Sequence, residues 1–167
     1  MFTRIFERGE NPGGAASPNE VFFASPRRML LALAIGCFAL FFLDTDKRDL
    51  WTPDEPRFGQ ISKEMLQDGN VFVLMRNGLP YSDKPPLYFY LACLAALVGG
   101  WLKGAAATVP SEWAMRLPSA AAALAGVFAC YWIGLRTLNR RAAFFGAGAM
   151  ALGWMYAWQG RTAQLDM

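Results

Sequence analysis

Four apolar blocks constrain this 167-residue chain more than any other feature of its sequence. Hydrophobic residues make up 54% of the chain, and they are concentrated in these blocks rather than spread along it. Long apolar blocks are typical of membrane-spanning helices, whereas a soluble core draws on shorter periodic patterns. The sequence therefore predicts an all-α polytopic membrane protein. The blocks cover residues 29–43, 87–102, 117–135 and 142–158.

Composition argues against several other classes of protein. The formal net charge of +3 is too small to favour a nucleic-acid partner, and no histidine is present. Cys37, Cys93 and Cys130 each lie inside an apolar block, without the spacing of a disulfide framework. We expect them to be small buried side chains, and we expect no transition-metal site built from histidine and cysteine.

The first 28 residues are polar and rich in glycine, proline and asparagine, which predicts a flexible basic segment on the cytoplasmic side. Arg27 and Arg28 directly precede the first apolar block. A cleaved signal peptide is the competing interpretation, but no small-x-small site follows Phe41-Phe42-Leu43-Asp44. We therefore expect an uncleaved first crossing.

The short basic loop at residues 136–141 decides the predicted topology. If all four blocks crossed the membrane, this loop would face outward, against the positive-inside preference. The block at 87–102 has only 16 residues and is shorter than a usual crossing, so we predict that it lies at the membrane surface. Four crossings remain the alternative. The predicted crossings are about 29–43, 115–135 and 142–158, with an external loop at 44–113 carrying surface helices near 54–68 and 86–102.

Small residues in the last two crossings predict close contacts between helices. In the third crossing they are Gly146, Gly148 and Gly153, and in the second they fill most of the segment 119–126. In the external loop, residues 71–75 followed by Asn77-Gly78 predict a short strand and a turn.

The start of the helix near 54–68 carries two adjacent carboxylates. Thr52-Pro53-Asp54-Glu55 has the pattern of a capping box, in which Glu55 reaches back to the N-terminal cap. Helical projection places Asp54 on the apolar face and Glu55 at the border of that face. A carboxylate on an apolar face is costly unless it has a partner or a chemical role. The apolar face is formed by Phe58, Ile61 and Met65, and Gly69 is the predicted stop.

Charged residues of the external loop are candidates for chemistry on a lipid-linked phosphate. Lys84 stands just before Pro85-Pro86 at the start of the second surface helix, where a cation and a helix N-terminus suit a phosphate. Nearby carboxylates suit proton transfer or a cation. Structural alternatives remain open, since Glu55 can serve only as a cap, Lys84 can contact headgroups, and Arg161 can be an interfacial anchor. The candidates are Asp54, Glu55, Arg57, Arg76, Asp83 and Lys84, joined by Arg161 and Asp166 after the third crossing.

Several short motifs, taken in order, resemble the N-terminal part of the lipid A 4-amino-4-deoxy-L-arabinose transferase family. More broadly, they resemble the dolichyl-phosphate-mannose protein mannosyltransferase-like superfamily of GT-C glycosyltransferases. The resemblance spans residues 27–167. The motifs are Pro53-Asp54-Glu55-Pro56-Arg57-Phe58, Glu64-Met65, Asn77-Gly78-Leu79-Pro80-Tyr81, Asp83-Lys84-Pro85-Pro86-Leu87, Arg116-Leu117-Pro118-Ser119 and Gly160-Arg161 with Leu165-Asp166-Met167.

The resemblance implies an inner-membrane enzyme with a GT-C-like transmembrane domain at 29–167 and juxtamembrane helices in its first external loop. It implies inverting transfer of a sugar from a polyprenyl-phosphate carrier to a lipid A, glycan or protein acceptor on the periplasmic side. Asp54 and Asp166 match acidic, catalytic positions, and Arg57 and Lys84 match residues that hold the carrier phosphate. Tyr81 falls in the segment that lines the donor cavity, and Glu55 and Arg161 are further candidates for substrate binding.

Two departures from the family pattern qualify these expectations. Family members are much longer, so we expect further crossings beyond Met167. Asp83 stands where a glutamate is common, which makes it a weak candidate for a divalent cation. The alternatives are a non-catalytic subunit that binds the carrier lipid and, ranked last, a transporter segment, because transport predicts charges within the crossings.

Overall fold

The structure is a computed structural model that describes residues 22–23, 25–50 and 53–164. The predicted Thr52 cap and the candidate Asp166 lie outside the described residues, as does most of the predicted N-terminal segment. Helices dominate, and one two-stranded antiparallel hairpin is present. The elements are α1 Pro26–Phe42, α2 Asp54–Asp68, β1 Met75–Arg76, β2 Leu79–Pro80, α3 Leu87–Leu102, α4 Glu112–Thr137, α5 Arg140–Leu152 and α6 Trp154–Gly160.

Helix α4 is the centre of the fold and contacts each of the other five helices. The Ser111 side chain caps its start by accepting a hydrogen bond from the Ala114 backbone N–H at 3.3 Å. With 26 residues, α4 is about 39 Å long, which exceeds the roughly 30 Å hydrocarbon thickness of a bilayer. Among the described residues, α4 is the one helix that is both long enough and apolar enough to cross a membrane.

One hydrophobic core joins α1, α4 and α5. Helix α1 buries side chains four residues apart on one face, while Leu31, Ile35 and Phe38 remain exposed on the other. Alanines on α4 and α5 allow the helices to approach closely. The core consists of Met29, Leu33, Cys37, Phe41, Ala120, Ala123, Val127, Tyr131, Ala143, Ala147 and Ala151.

A second core packs the external-loop elements against the N-terminal end of α4. Helix α2 buries the predicted apolar face, and Gly69 ends this helix in the left-handed conformation, with φ 66°. The hairpin turns at Asn77 and Gly78, both with positive φ, as a type I′ turn requires. The members of this core are Phe58, Ile61, Met65, Leu74, Tyr81, Tyr88, Phe89, Ala92, Cys93, Met115 and Ala163.

The two helices predicted for the external loop are confirmed, and the hairpin is shorter than predicted, since its first strand begins at Met75. Helix α1 begins at Pro26 rather than at residue 29, so the last part of the predicted flexible segment is helical. The described cysteines are free, and Cys37 and Cys93 are buried as expected.

The predicted third crossing is not one continuous helix. Gly153 has ψ 125° and separates α5 from α6, and its N–H bonds the Met150 carbonyl three residues back. Glycine is a poor helix former, and the prediction of a single crossing from the apolar pattern did not take this into account at Gly153. The predicted contacts at Gly146 and Gly148 are wrong within the described residues, because a Cβ atom on either glycine would have no neighbouring atom within 4 Å. The close contact predicted within the segment 119–126 is present at Gly126, and further close contacts occur at Gly134 and Gly160.

The contact between α4 and α5 gives a direct test of this packing. A Cβ atom on Gly134 would lie 2.8 Å from Cβ and 2.9 Å from Cα of Ala143. We expect Gly134→Ala to lower the free energy of unfolding in detergent by about 1–3 kcal/mol, the usual cost of overpacking. The matched control is Gly148→Ala, which meets open space and should leave stability unchanged or slightly raised. Equal losses from both variants would contradict the α4–α5 contact.

Candidate functional site

A buried arginine on α4 organises the candidate site. Arg116 has an exposed fraction of 0% and forms a bidentate ion pair with Glu55, with Nε–Oε1 at 3.0 Å and Nη2–Oε2 at 2.8 Å. Its other N–H groups donate to the backbone carbonyls of Thr45, Arg48 and Asp49, the last two at 2.7 and 2.9 Å. All five donors of the guanidinium are therefore used. These bonds and the ion pair offset the free-energy cost of taking the Arg116 charge out of water.

The same carboxylate also holds the segment that follows α6. Glu55 Oε1 accepts a hydrogen bond from the Ala163 backbone N–H at 2.5 Å. Nearby, the Ser119 hydroxyl on α4 donates to the Gln164 carbonyl at 2.9 Å and accepts from the Gln164 N–H at 3.1 Å. Residues 163–164 are thus fixed against the start of α2 and against α4. Gln164 is the last residue that the structure describes.

The structure reverses the predicted environments of the two adjacent carboxylates. Glu55 is 2% exposed, whereas the Asp54 side chain is 44% exposed. The cap of α2 is Pro53, and no side-chain hydrogen bond caps the helix. Both oxygens of Glu55 bind Arg116, which gives this carboxylate a structural partner on α4. The capping box involves Thr52, which lies outside the described residues, and substrate binding by Glu55 stays a prediction. Helical projection failed here because the partner of Glu55 comes from another helix.

Asp54 instead pairs with Arg57, one helical turn further along α2. Both side chains are partly exposed, so this carboxylate and this guanidinium lie at the surface, directly beside the buried pair. The Arg57 Nε atom is buried and has no hydrogen-bond partner among the described residues. The Arg57 guanidinium also lies 5.6 Å from the centre of the Phe58 ring. The site therefore offers a carboxylate and an unused N–H donor side by side.

Glu64 fastens the hairpin to α2, a role that the sequence did not reveal. Its Oε1 accepts from the Gln60 side chain at 2.7 Å and from the Asn77 N–H at 2.6 Å, and its Oε2 accepts from the Gly78 N–H at 3.4 Å. The Gln60 bond first, and then the two backbone bonds, hold the pKa of the Glu64 carboxyl below its usual range. The turn of the hairpin is thereby held on α2.

The hairpin places Tyr81 against α2 and leads directly to Lys84. The Tyr81 N–H donates to the Leu74 carbonyl at 2.8 Å, and its side chain is 9% exposed within the same core as Phe58. Lys84 is half-buried between the hairpin and α3, whereas Asp83 is exposed. Within the described ranges, no cluster of three or more carboxylates or thiols could hold a metal ion.

Arg161 binds the end of α1 rather than the space beside Asp54. Its guanidinium donates to the carbonyls of Leu40 and Leu43, the second at 3.0 Å. Cations near a helix C-terminus satisfy its last carbonyls and its dipole. The Arg48 side chain in turn donates to the Arg161 carbonyl at 3.0 Å and lies 5.3 Å from the Trp158 ring centre. These contacts agree with the structural alternative for Arg161, and its role in substrate binding stays a prediction.

Arg116 belongs to one of the family-like motifs, but sequence reasoning gave it no role. One signal was available, since this arginine borders the apolar block that begins at Leu117 and needs a buried partner if that block is packed. Nothing local indicates which of the carboxylates of the external loop supplies it. The pair is 61 residues apart in the chain.

Comparison with known proteins supports the predicted resemblance. An undecaprenyl phosphate-alpha-4-amino-4-deoxy-L-arabinose arabinosyl transferase of Aeromonas hydrophila is 33% identical over 114 residues, which are 66% of this chain and 19% of that protein. The transferase of the same name from Shewanella sediminis is 30% identical over 116 residues, 68% of this chain and 20% of that protein. No protein-family model matches the sequence.

The fold gives an independent comparison. The crystal structure of ArnT from Cupriavidus metallidurans bound to undecaprenyl phosphate matches with a TM-score of 0.71 and 26% identity. The chain resembles ArnT. The match covers 82% of this chain and 24% of ArnT, and this chain spans about a fifth of the length of the curated relatives it matches. The family resemblance predicted from the order of the motifs is confirmed.

The two ion pairs predict losses of stability of very different size for the two adjacent carboxylates. Glu55→Gln would leave Arg116 buried without a counter-charge, so we expect the free energy of unfolding to fall by about 3–5 kcal/mol. Asp54→Asn is the matched control, because its ion pair is partly exposed and should contribute about 1 kcal/mol or less. Denaturant titration in detergent measures both. A stable Glu55→Gln protein beside an unstable Asp54→Asn protein would reverse the assignment.

Proposed function

We propose that this chain forms part of a membrane glycosyltransferase that uses a polyprenyl-phosphate-linked sugar as its donor. The observation that carries the proposal is the match with ArnT bound to undecaprenyl phosphate over 82% of this chain. The acceptor is lipid A, another glycan or a protein, on the periplasmic side of the inner membrane. The curated relatives are named for transfer of 4-amino-4-deoxy-L-arabinose, which makes a pentose of this kind the first donor to test.

The proposed membrane placement has three crossings, formed by α1, by α4 and by α5 with α6. Helices α2 and α3 and the hairpin then lie together on the external side. The grouping of these elements in one core at a single end of α4 supports this placement. The basic residues at the opposite end, Arg136, Arg140 and Arg141, fall on the cytoplasmic side and satisfy the positive-inside preference.

The phosphate of the donor is assigned to Arg57 and Lys84. Arg57 has a buried Nε donor without a partner among the described residues, and Lys84 stands between the hairpin and the start of α3. Charge-assisted bonds from these cations would stabilise the phosphate as it becomes the leaving group. Tyr81, fixed on α2 by the hairpin, is assigned to the wall of the donor cavity. A divalent cation bound by a phosphate and Asp83 would assist in the same way.

Asp54 is assigned to the acceptor. In the inverting reaction, an acceptor oxygen attacks the anomeric carbon from the face opposite the phosphate. The bond between that carbon and the phosphate oxygen breaks, and the electron pair leaves with the polyprenyl phosphate. The acceptor proton passes to the Asp54 carboxylate as general base. The exposure of Asp54 supports this role. Asp166 stays a second acidic candidate on the family resemblance alone.

Binding of undecaprenyl phosphate to the purified chain tests the phosphate site. Lys84→Ala should weaken binding by about 1.5–3 kcal/mol, the range for a hydrogen bond to a charged group. Lys47→Ala is the control, because Lys47 lies in the same external loop and its 74% exposed side chain pairs with Asp44. Titration in detergent micelles gives both dissociation constants. Equal losses from the two variants would show that only the general surface charge acts.

Sugar transfer tests the role of Asp54. In a chimera in which this chain replaces the matching part of the Aeromonas hydrophila transferase, Asp54→Asn should abolish transfer, because it keeps the shape of the side chain and removes its basicity. Binding of undecaprenyl phosphate and the melting temperature should stay close to those of the parent chimera. An active Asp54→Asn chimera would exclude Asp54 from the mechanism. A parent chimera that binds the carrier without transferring sugar would favour the non-catalytic alternative.

A further inference from the structure

Helix α3 carries an exposed apolar stripe along its whole length. At about 100° per residue, the exposed apolar side chains other than that of Leu102, the last residue of α3, fall within roughly 120° of the helix circumference, and the opposite face is buried in the second core. The 16 residues of α3 give a length of about 24 Å, which is less than the roughly 30 Å thickness of the hydrocarbon region. The stripe consists of Leu87, Tyr90, Leu91, Leu94, Leu97, Val98 and Trp101.

A second exposed apolar element stands at the beginning of this stripe. Phe72 is 91% exposed, between Val71 and Val73, which are also exposed. The Asn70 side-chain oxygen accepts hydrogen bonds from the N–H groups of Phe72 and Val73, each at 3.2 Å. The Tyr90 hydroxyl donates to the Val71 carbonyl at 2.7 Å. Two hydrogen bonds therefore fix the shape of this loop, and one hydrogen bond from Tyr90 joins it to α3, with its apolar side chains exposed.

The stripe is continuous with the surface of the membrane-spanning helix. Between α3 and α4 runs an apolar groove of about 480 Å³, whose walls include Leu94 and Val98 from α3 and Leu117 and Ala121 from α4. Helix α4 is long and apolar enough to cross a bilayer, and in the proposed membrane placement its exposed side chains meet lipid. The exposed side chains of α3 border this groove, and the Tyr90 hydrogen bond joins the loop to α3. A bilayer is the partner that covers such a continuous surface.

We propose that the loop Val71–Val73 inserts into the bilayer beside the α3 stripe and anchors the external-loop elements to one leaflet. Phe72 would enter the boundary between headgroups and acyl chains. The Tyr90 hydroxyl, bonded to the loop, stays at headgroup level. Because Glu64 fixes the hairpin to α2, this anchor would also set the height of Asp54 and Arg57 above the bilayer. The outer leaflet follows from the proposed membrane placement, whereas the insertion itself does not depend on sugar transfer.

Depth-dependent quenching in vesicles tests this insertion. A nitrobenzoxadiazole label is attached to Phe72→Cys in the purified chain, which is reconstituted in phosphatidylethanolamine and phosphatidylglycerol with spin-labelled lipids. Cys130→Ala removes the half-buried native thiol, and Cys37 and Cys93 are buried, so labelling of the chain without the added cysteine gives the background. Phe72 is fully on the surface, so its substitution should not disturb folding.

Two further label positions serve as controls, one expected in the bilayer and one expected in water. Leu91→Cys reports the α3 stripe, and Gln67→Cys reports an exposed position on the face of α2 opposite its buried residues. We expect the Phe72 label to match the Leu91 label at a depth of roughly 5–10 Å and to resist aqueous iodide, whereas the Gln67 label is quenched by iodide. A Phe72 label as accessible as the Gln67 label would overturn the proposal. Protection from iodide without quenching by spin-labelled lipids would also overturn it, because protein would then cover the loop.

Discussion

The ion pair between Arg116 and Glu55 is the interaction on which the packing of α2 against α4 depends. It joins α4 to α2, holds the chain at Thr45, Arg48 and Asp49 through its carbonyls, and fixes Ala163 after α6. Burial of two charges is costly, and the cost is offset here because every guanidinium donor has an acceptor. Such a pair is a poor source of net stability compared with apolar packing. Its effect is to define one arrangement of α2, α4, residues 45–49 and the chain at Ala163. Any other arrangement of these four segments would leave a buried charge without its partner.

This arrangement separates two carboxylates that are adjacent in the sequence. Glu55 is buried against Arg116, whereas Asp54, one residue earlier, is partly exposed and pairs with Arg57. The buried pair sets the position of the first turn of α2, and Glu64 sets the position of the hairpin on the same helix. Of the proposed donor-binding residues, Arg57 lies on α2 itself, and Tyr81 follows the hairpin that is fixed to α2. Helix α2 therefore positions the candidate site, and Arg116 on α4 holds α2 beside the bundle of α1, α4 and α5.

The sequence predicted features that depend on neighbouring residues and missed those that depend on distant ones. The bounds of α2 and α3 followed from apolar periodicity, from Gly69 and from Pro86, and the type I′ turn followed from Asn77-Gly78. The order of short motifs also predicted the resemblance to ArnT. The environments of Asp54 and Glu55 were reversed because the deciding partner lies 61 residues away on α4. The capping of α1 by Arg161 was likewise invisible, since its acceptors are 118 and 121 residues away.

A double-mutant cycle on Glu55 and Arg116 tests the central claim most directly. The free energy of unfolding in detergent is measured for the unsubstituted chain, Glu55→Gln, Arg116→Met and the double variant. Once one partner is lost, removal of the other should cost little, so we expect a coupling energy close to the cost of one substitution, about 3–5 kcal/mol. Effects that add to within about 0.5 kcal/mol would show that the two residues act independently, and would contradict the organisation of the site around this pair.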